Sequence, residues 1–144
     1  MPEGAFDGAA REALAKGIDG AAKAIEGFGD DPRQEFLAWV IVEEVKLGYL
    51  FAGGVDPLSR VIPAVVFFYA PPGVIYAERR EEAVRLVHDA LVAANPGSDY
   101  RAVATSVMIW DVADGTWGPT GKLWHLPDFA SAAGYKRLHD LATS

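Results

Sequence analysis

Val107-Met108-Ile109-Trp110-Asp111, followed by Asp114-Gly115-Thr116-Trp117-Gly118-Pro119-Thr120-Gly121, is where this chain declares its organisation. A nearly unbroken apolar run, Val103 to Val112, meets an acidic residue and then a turn punctuated by glycine, with one large aromatic at its centre. Such a run is the signature of a strand covered on both faces, as in a parallel sheet. A fainter version lies in the first half, where Phe36 to Val42 leads through Glu43 and Glu44 towards Gly53-Gly54.

The echo extends outward in both directions. Displaced by 69 positions, Pro2, Gly4, Arg11, Glu12, Ala21 and Ala24 fall on Pro71, Gly73, Arg80, Glu81, Ala90 and Ala93. Leu14, Ile18, Ala21, Ala22 and Ile25 take the i, i+4, i+7, i+8, i+11 spacing of one helix face, and Ala83, Val87, Ala90, Leu91 and Ala94 repeat it. The pattern predicts a single α/β (α+β) domain over 1–144, with one β-α-β repeat at about 1–58 and another at about 59–126. The expected elements are helices at 6–27 and 76–94, strands at 36–45, 61–69 and 103–112, an edge strand at 122–126, and a C-terminal helix at 128–142. Gly27, Gly29 and Pro32 stop the first helix, and Asn95-Pro96-Gly97 stops the second. Right-handed crossovers would set both helices on one face of a mixed, mostly parallel sheet, leaving the other face for a partner, most simply further copies of the chain.

Composition narrows the function classes. A net charge of −7 with scattered basic residues argues against nucleic acid, whose phosphates need a clustered basic surface. The absence of cysteine excludes disulfides and thiolate metal sites, and fits a reducing compartment. The strongest apolar run, Val61 to Ala70, is about half the roughly 20 residues of a membrane-spanning helix, and no signal-peptide pattern opens the chain. A cytoplasmic protein without membrane attachment is the expectation. His88, His125 and His139 lack zinc-ligand spacing, and no nucleophile-elbow, dinucleotide or P-loop motif occurs. Neither metal nor cofactor is expected.

Strand, acidic residue and the Asp114–Gly121 turn resemble the C-terminal part of the 4-oxalocrotonate tautomerase β-α-β unit. Pro2-Glu3-Gly4-Ala5-Phe6, followed by an Arg-containing helix, is similar to that unit's strand-to-helix turn. The double-length chain is like the fused members of the tautomerase superfamily. The resemblance implies a tautomerase/MIF-like fold, a homo-oligomer with a trimer favoured, and cofactor-free tautomerisation of small 2-oxo or enol acids through an N-terminal proline amine. An α-amino group titrates near 7.7–8.0, and an apolar pocket lowers it further, which suits proton transfer near neutrality. Pro2 is then the candidate base once Met1 is removed, with Trp117, Phe51 and Tyr49 as substrate-contacting aromatics.

Each residue also has a plainer reading. Pro2 aligns with the turn residue Pro71, Trp117 serves equally as an interface aromatic, and Glu43, Glu44 and Asp111 mark strand ends meeting water. In the repeat, the place of a strand-opening proline belongs to Pro63, whose counterpart would precede Met1. The first repeat is therefore expected to lack its opening strand, and an in-frame upstream Met-Pro segment would supply it. Two alternatives to an isomerase remain: a catalytically inactive tautomerase-fold oligomer or small-molecule binder, and a ferredoxin-like dimeric α/β-barrel domain.

Overall fold

A computed structural model describes residues 1–28 and 31–135. Helix α1 spans Gly8–Glu26, strand β1 Val61–Ala70, helix α2 Ala77–Ala94, strand β2 Ala102–Asp111 and helix α3 Leu126–Ala133; single 3-10 turns occupy Pro32–Gln34 and Pro119–Gly121. Mixed α+β organisation is thus present, but the sheet among the described residues has two strands, β1 and β2, in parallel register from Val61↔Ala102 to Ala70↔Asp111.

The helix stripes do what their spacing dictates. Leu14, Ala21, Ala22 and Ile25 are buried from α1, as are Ala83, Val87, Leu91 and Ala94 from α2. Close helix packing is set at Gly17, where an added Cβ would lie 3.2 Å from Ala90 Cβ. Gly27, at φ 74°, closes α1 with its N–H on Lys23 O, a left-handed cap that glycine adopts without the Cβ penalty.

The sheet's inner face joins that core. Ile62 and Ala64 are buried, and Val66, Phe68, Val103, Val107 and Ile109 are partly buried against it. Its outer face carries Val65, Phe67, Tyr69, Met108 and Trp110, each between 43% and 66% exposed. Pro63 is accommodated inside β1 by alternation. Val112 N–H donates to Ala70 O, so every second residue back from Ala70 bonds to β2 while Pro63 turns towards the open edge.

Two expected strands are corrected. Residues 36–45 form no strand beyond the isolated parallel bridge of Val45 with Pro2, and 122–126 contributes one antiparallel bridge, Trp124 with Trp117. Apolar alternation is necessary for a strand, but a ladder also needs a second backbone beside it. Among the described residues only Met1 to Glu3 lies beside this stretch, and it reaches no further back than Glu43. The C-terminal helix begins earlier than expected and ends at Gly134, again left-handed at φ 66°; positions 136–142 of that expectation lie outside the described residues.

Candidate functional site

The N-terminus docks as the end of a parallel ladder. Met1 N donates to Glu43 O at 3.2 Å, Val45 N–H to Met1 O at 2.7 Å, and Glu3 N–H to Val45 O at 2.8 Å. Pro2 is buried between these bonds, in register with Val45. The chain then reverses at Gly4, φ 72°, with Ala5 N–H on Pro2 O, and drives Phe6 fully into the core before α1 begins.

Arg11, in the second turn of α1, ties this corner together. Its Nε donates to Phe6 O at 3.1 Å and its Nη2 to Glu44 Oε1 at 2.8 Å. Glu44 Oε1 also accepts Gly4 N–H at 3.2 Å. Beside it lies an open cleft of about 450 Å³ lined by Gly8, Arg11, Glu12, Ala15, Val40 and Val42.

The same arrangement occurs at the end of β1. Val112 N–H donates to Ala70 O at 2.9 Å, Gly73 takes φ 77°, and Val74 N–H bonds Pro71 O. Ile75 is fully buried, Arg80 Nε reaches Ile75 O at 3.3 Å, and Arg80 Nη2 meets Asp111 Oδ2 at 2.7 Å. The carboxylates Glu44 and Asp111 are therefore both counter-ions of a helix arginine, and of the two only Asp111 ends a strand. Neither arginine was singled out for chemistry by sequence, although their shared spacing from the turn was visible.

Chemically, the cleft offers mixed walls. Arg11 is already engaged by a carboxylate and a carbonyl, Glu12 adds a second negative charge, and Ala15, Val40 and Val42 are apolar. That lining favours apolar groups over a substrate carboxylate, since the Arg11 charge is already paired with Glu44 and Glu12 repels a second anion. Pro2's nitrogen becomes an amine only when Met1 is removed, and the oxygen that accepts Val45 N–H then goes with it.

The candidate aromatics stand apart from this corner. Trp117, 37% exposed, packs its ring 5.3 Å from Phe129, which also meets Trp124 edge-on at 5.1 Å. Tyr49 and Phe51 are exposed on the loop around the Ala52–Val55 bridge that Gly53-Gly54 closes. Neither those two nor Trp117 lines the cleft with Arg11.

The histidines divide similarly. His88 Nδ1 is 2.9 Å from Thr105 Oγ1, half-buried between α2 and β2. His125 is exposed at the start of α3, and His139 lies outside the described residues. Asp114 holds the start of α3: its Oδ1 accepts Leu126 N–H at 2.7 Å and its Oδ2 lies 3.0 Å from His125 Nδ1. The hydrogen bond with Asp114 raises the His125 pKa above its ordinary value, and the Asp114 carboxyl is lowered in return, chiefly by that same bond.

One polar pair escaped sequence reading altogether. Glu26 Oε2 accepts the Tyr135 hydroxyl at 2.7 Å, and burial pushes the Glu26 carboxyl up to about 7 against the opposing effect of that bond. Among the described residues, no group of three His, Cys, Asp or Glu side chains is placed to hold a metal ion, and no helix is long and apolar enough to cross a membrane.

No protein-family model matches the chain, and no curated protein matches it.

Proposed function

We propose that this chain is a tautomerase-like protein of two β-α-β repeats that assembles into homo-oligomers, a trimer being favoured, and that it is catalytically silent or binds a small apolar molecule. The outer sheet face carries this reading. Five large apolar side chains, Val65, Phe67, Tyr69, Met108 and Trp110, share one face with no helix over it among the described residues, a patch that monomers rarely leave open. The two-repeat part is supported by the matched turns at Gly4 and Gly73 and by the matched Arg11–Glu44 and Arg80–Asp111 pairs.

Light scattering coupled to size-exclusion chromatography tests the assembly. A mass that is a multiple of three times 15.4 kDa, reduced to one chain by Phe67→Lys with Trp110→Lys, is the expected result. A dimer would favour the ferredoxin-like α/β-barrel alternative, and a wild-type monomer at high concentration would refute self-association.

The second reading is an isomerase for small 2-oxo or enol acids with Pro2 as base. Its support is that Pro2 follows Met1 directly, so that removal of Met1 would free its secondary amine. Burial of Pro2 in the ladder and the occupied state of Arg11 favour the silent reading over it. Intact-mass spectrometry with a phenylenolpyruvate assay separates the two. Loss of Met1, together with turnover abolished by Pro2→Ala, would restore the isomerase; equal turnover in both proteins removes Pro2 from any mechanism.

A further inference from the structure

We propose that residues 38–44 are the receiving edge for a parallel β-strand running into the nitrogen of Met1, an extended segment with apolar side chains at alternate positions like Val61–Ala70. This rests on the two-repeat reading above, and four observations carry it.

The first is the ladder itself. Met1 N on Glu43 O and Val45 N–H on Met1 O are bonds that a strand residue makes to alternate residues of a parallel neighbour. The ladder is therefore set in register at Met1, and its next rungs would fall at Ile41 and Trp39. The second is the state of those rungs. Among the described residues, no amide from 38 to 44 donates to another backbone carbonyl, whereas the comparable amides of β2 are paired with β1.

The third is side-chain alternation. Ala38, Val40 and Val42 are half-buried while Trp39, Ile41 and Glu43 are exposed, the same in-out sequence as Thr105, Val107 and Ile109 against Ser106, Met108 and Trp110. Residues 38–44 thus already present strand-like faces with no strand beside them among the described residues. The fourth is the cleft. It lies between α1 and Val40 and Val42, on the side where, in the second half, β1 sends Ile62, Ala64, Val66 and Phe68 into the core. A volume of about 450 Å³ accommodates several apolar side chains of that kind.

Continuity decides the occupant. The hydrogen-bonded position is held by Met1, and Met1 corresponds to Ala70, the last residue of β1. A strand in the open position must therefore end where the Met1 nitrogen begins, which a segment joined to that nitrogen does without a break.

The test is hydrogen exchange followed by mass spectrometry on the full chain carrying nine extra residues before Met1. In one version Ile, Ala, Val and Phe stand at the four inward positions, as in β1, with threonine at the five outward ones. In the other version the inward and outward sets are exchanged. The proposal expects amides 38–44 to exchange at least about tenfold more slowly with the first version and at the unextended rate with the second. No slowing in either version overturns it, as does equal slowing in both. Concentration-dependent protection of 38–44 in the unextended chain also overturns it, because a second copy would then hold the edge. Protection of 102–111 is the internal control: if it too is lost, the fold reading fails, whereas its retention confines the failure to the receiving edge.

Discussion

Replacing Glu26 by glutamine should remove a pH dependence built into the junction of α1 with the segment after α3. The carboxyl is half-buried against Tyr135, and its pKa rises from the ordinary 4.5 to about 7, desolvation outweighing the Tyr135 hydrogen bond. A carboxyl raised on folding binds its proton more tightly in the native state. Its stabilising effect is then complete below the unfolded value and is lost as pH climbs from about 4.5 through about 7. At about 1.4 kcal/mol per pH unit of displacement, the swing is on the order of 3 kcal/mol. Glutamine keeps an oxygen for the Tyr135 hydroxyl but carries no charge, so the variant should lack this swing. Urea unfolding followed by tryptophan fluorescence at pH 4.5 and pH 8 measures it. Relative to wild type, Glu26→Gln should gain stability at pH 8 by that order compared with pH 4.5. A wild-type–variant difference that is the same at both pH values would refute the assignment, because every other titrating group is common to both proteins.

Gly17→Leu should cost about 1–3 kcal/mol, read as a shift in the urea midpoint, because a side chain there meets Ala90 at 3.2 Å from its first atom and must separate α1 from α2. A double-mutant cycle across Arg80 and Asp111 should return no more than about 1 kcal/mol, since their side chains are 46% and 36% exposed and water screens the pair. NMR titration of His125 should place its midpoint above the ordinary 6.5, falling back in Asp114→Asn. The support this histidine gives to the start of α3 is present below its unfolded value and lost as pH rises through the raised one.

Helices α1 and α2 and both paired strands were legible because each is dictated by local periodicity. Leu14 to Ile25 and Ala83 to Ala94 place their stripes by spacing alone, and the ends follow from Gly27 and from Asn95-Pro96. Strand β1 was readable despite Pro63 because apolar composition survives one missing amide at an edge. Residues 36–45 misled for the opposite reason: their composition is strand-like, but pairing is a property of two segments, and the described chain offers only Met1 to Glu3 beside them. The salt bridges of Arg11 and Arg80 join residues 33 and 31 positions apart, and Glu26 meets Tyr135 across 109. Contacts of that span leave no local trace, so the polar chemistry of the chain was the least readable part. The alignment of Pro2 with Pro71 was visible, and each carbonyl accepts the N–H three residues on; the pairing of Pro2 with Val45 joins positions too far apart to show in the spacing.

Pro63 has a consequence for what the molecule avoids. The outward rim of β1 would otherwise offer Val-Ile-x-Ala-Val-Val-Phe-Phe-Tyr-Ala as an uninterrupted template on which further chains could zip into fibrils. One pyrrolidine ring on that rim withdraws a donor and obstructs an incoming backbone. A proline so placed has the character of a gatekeeper, discouraging endless stacking from the side.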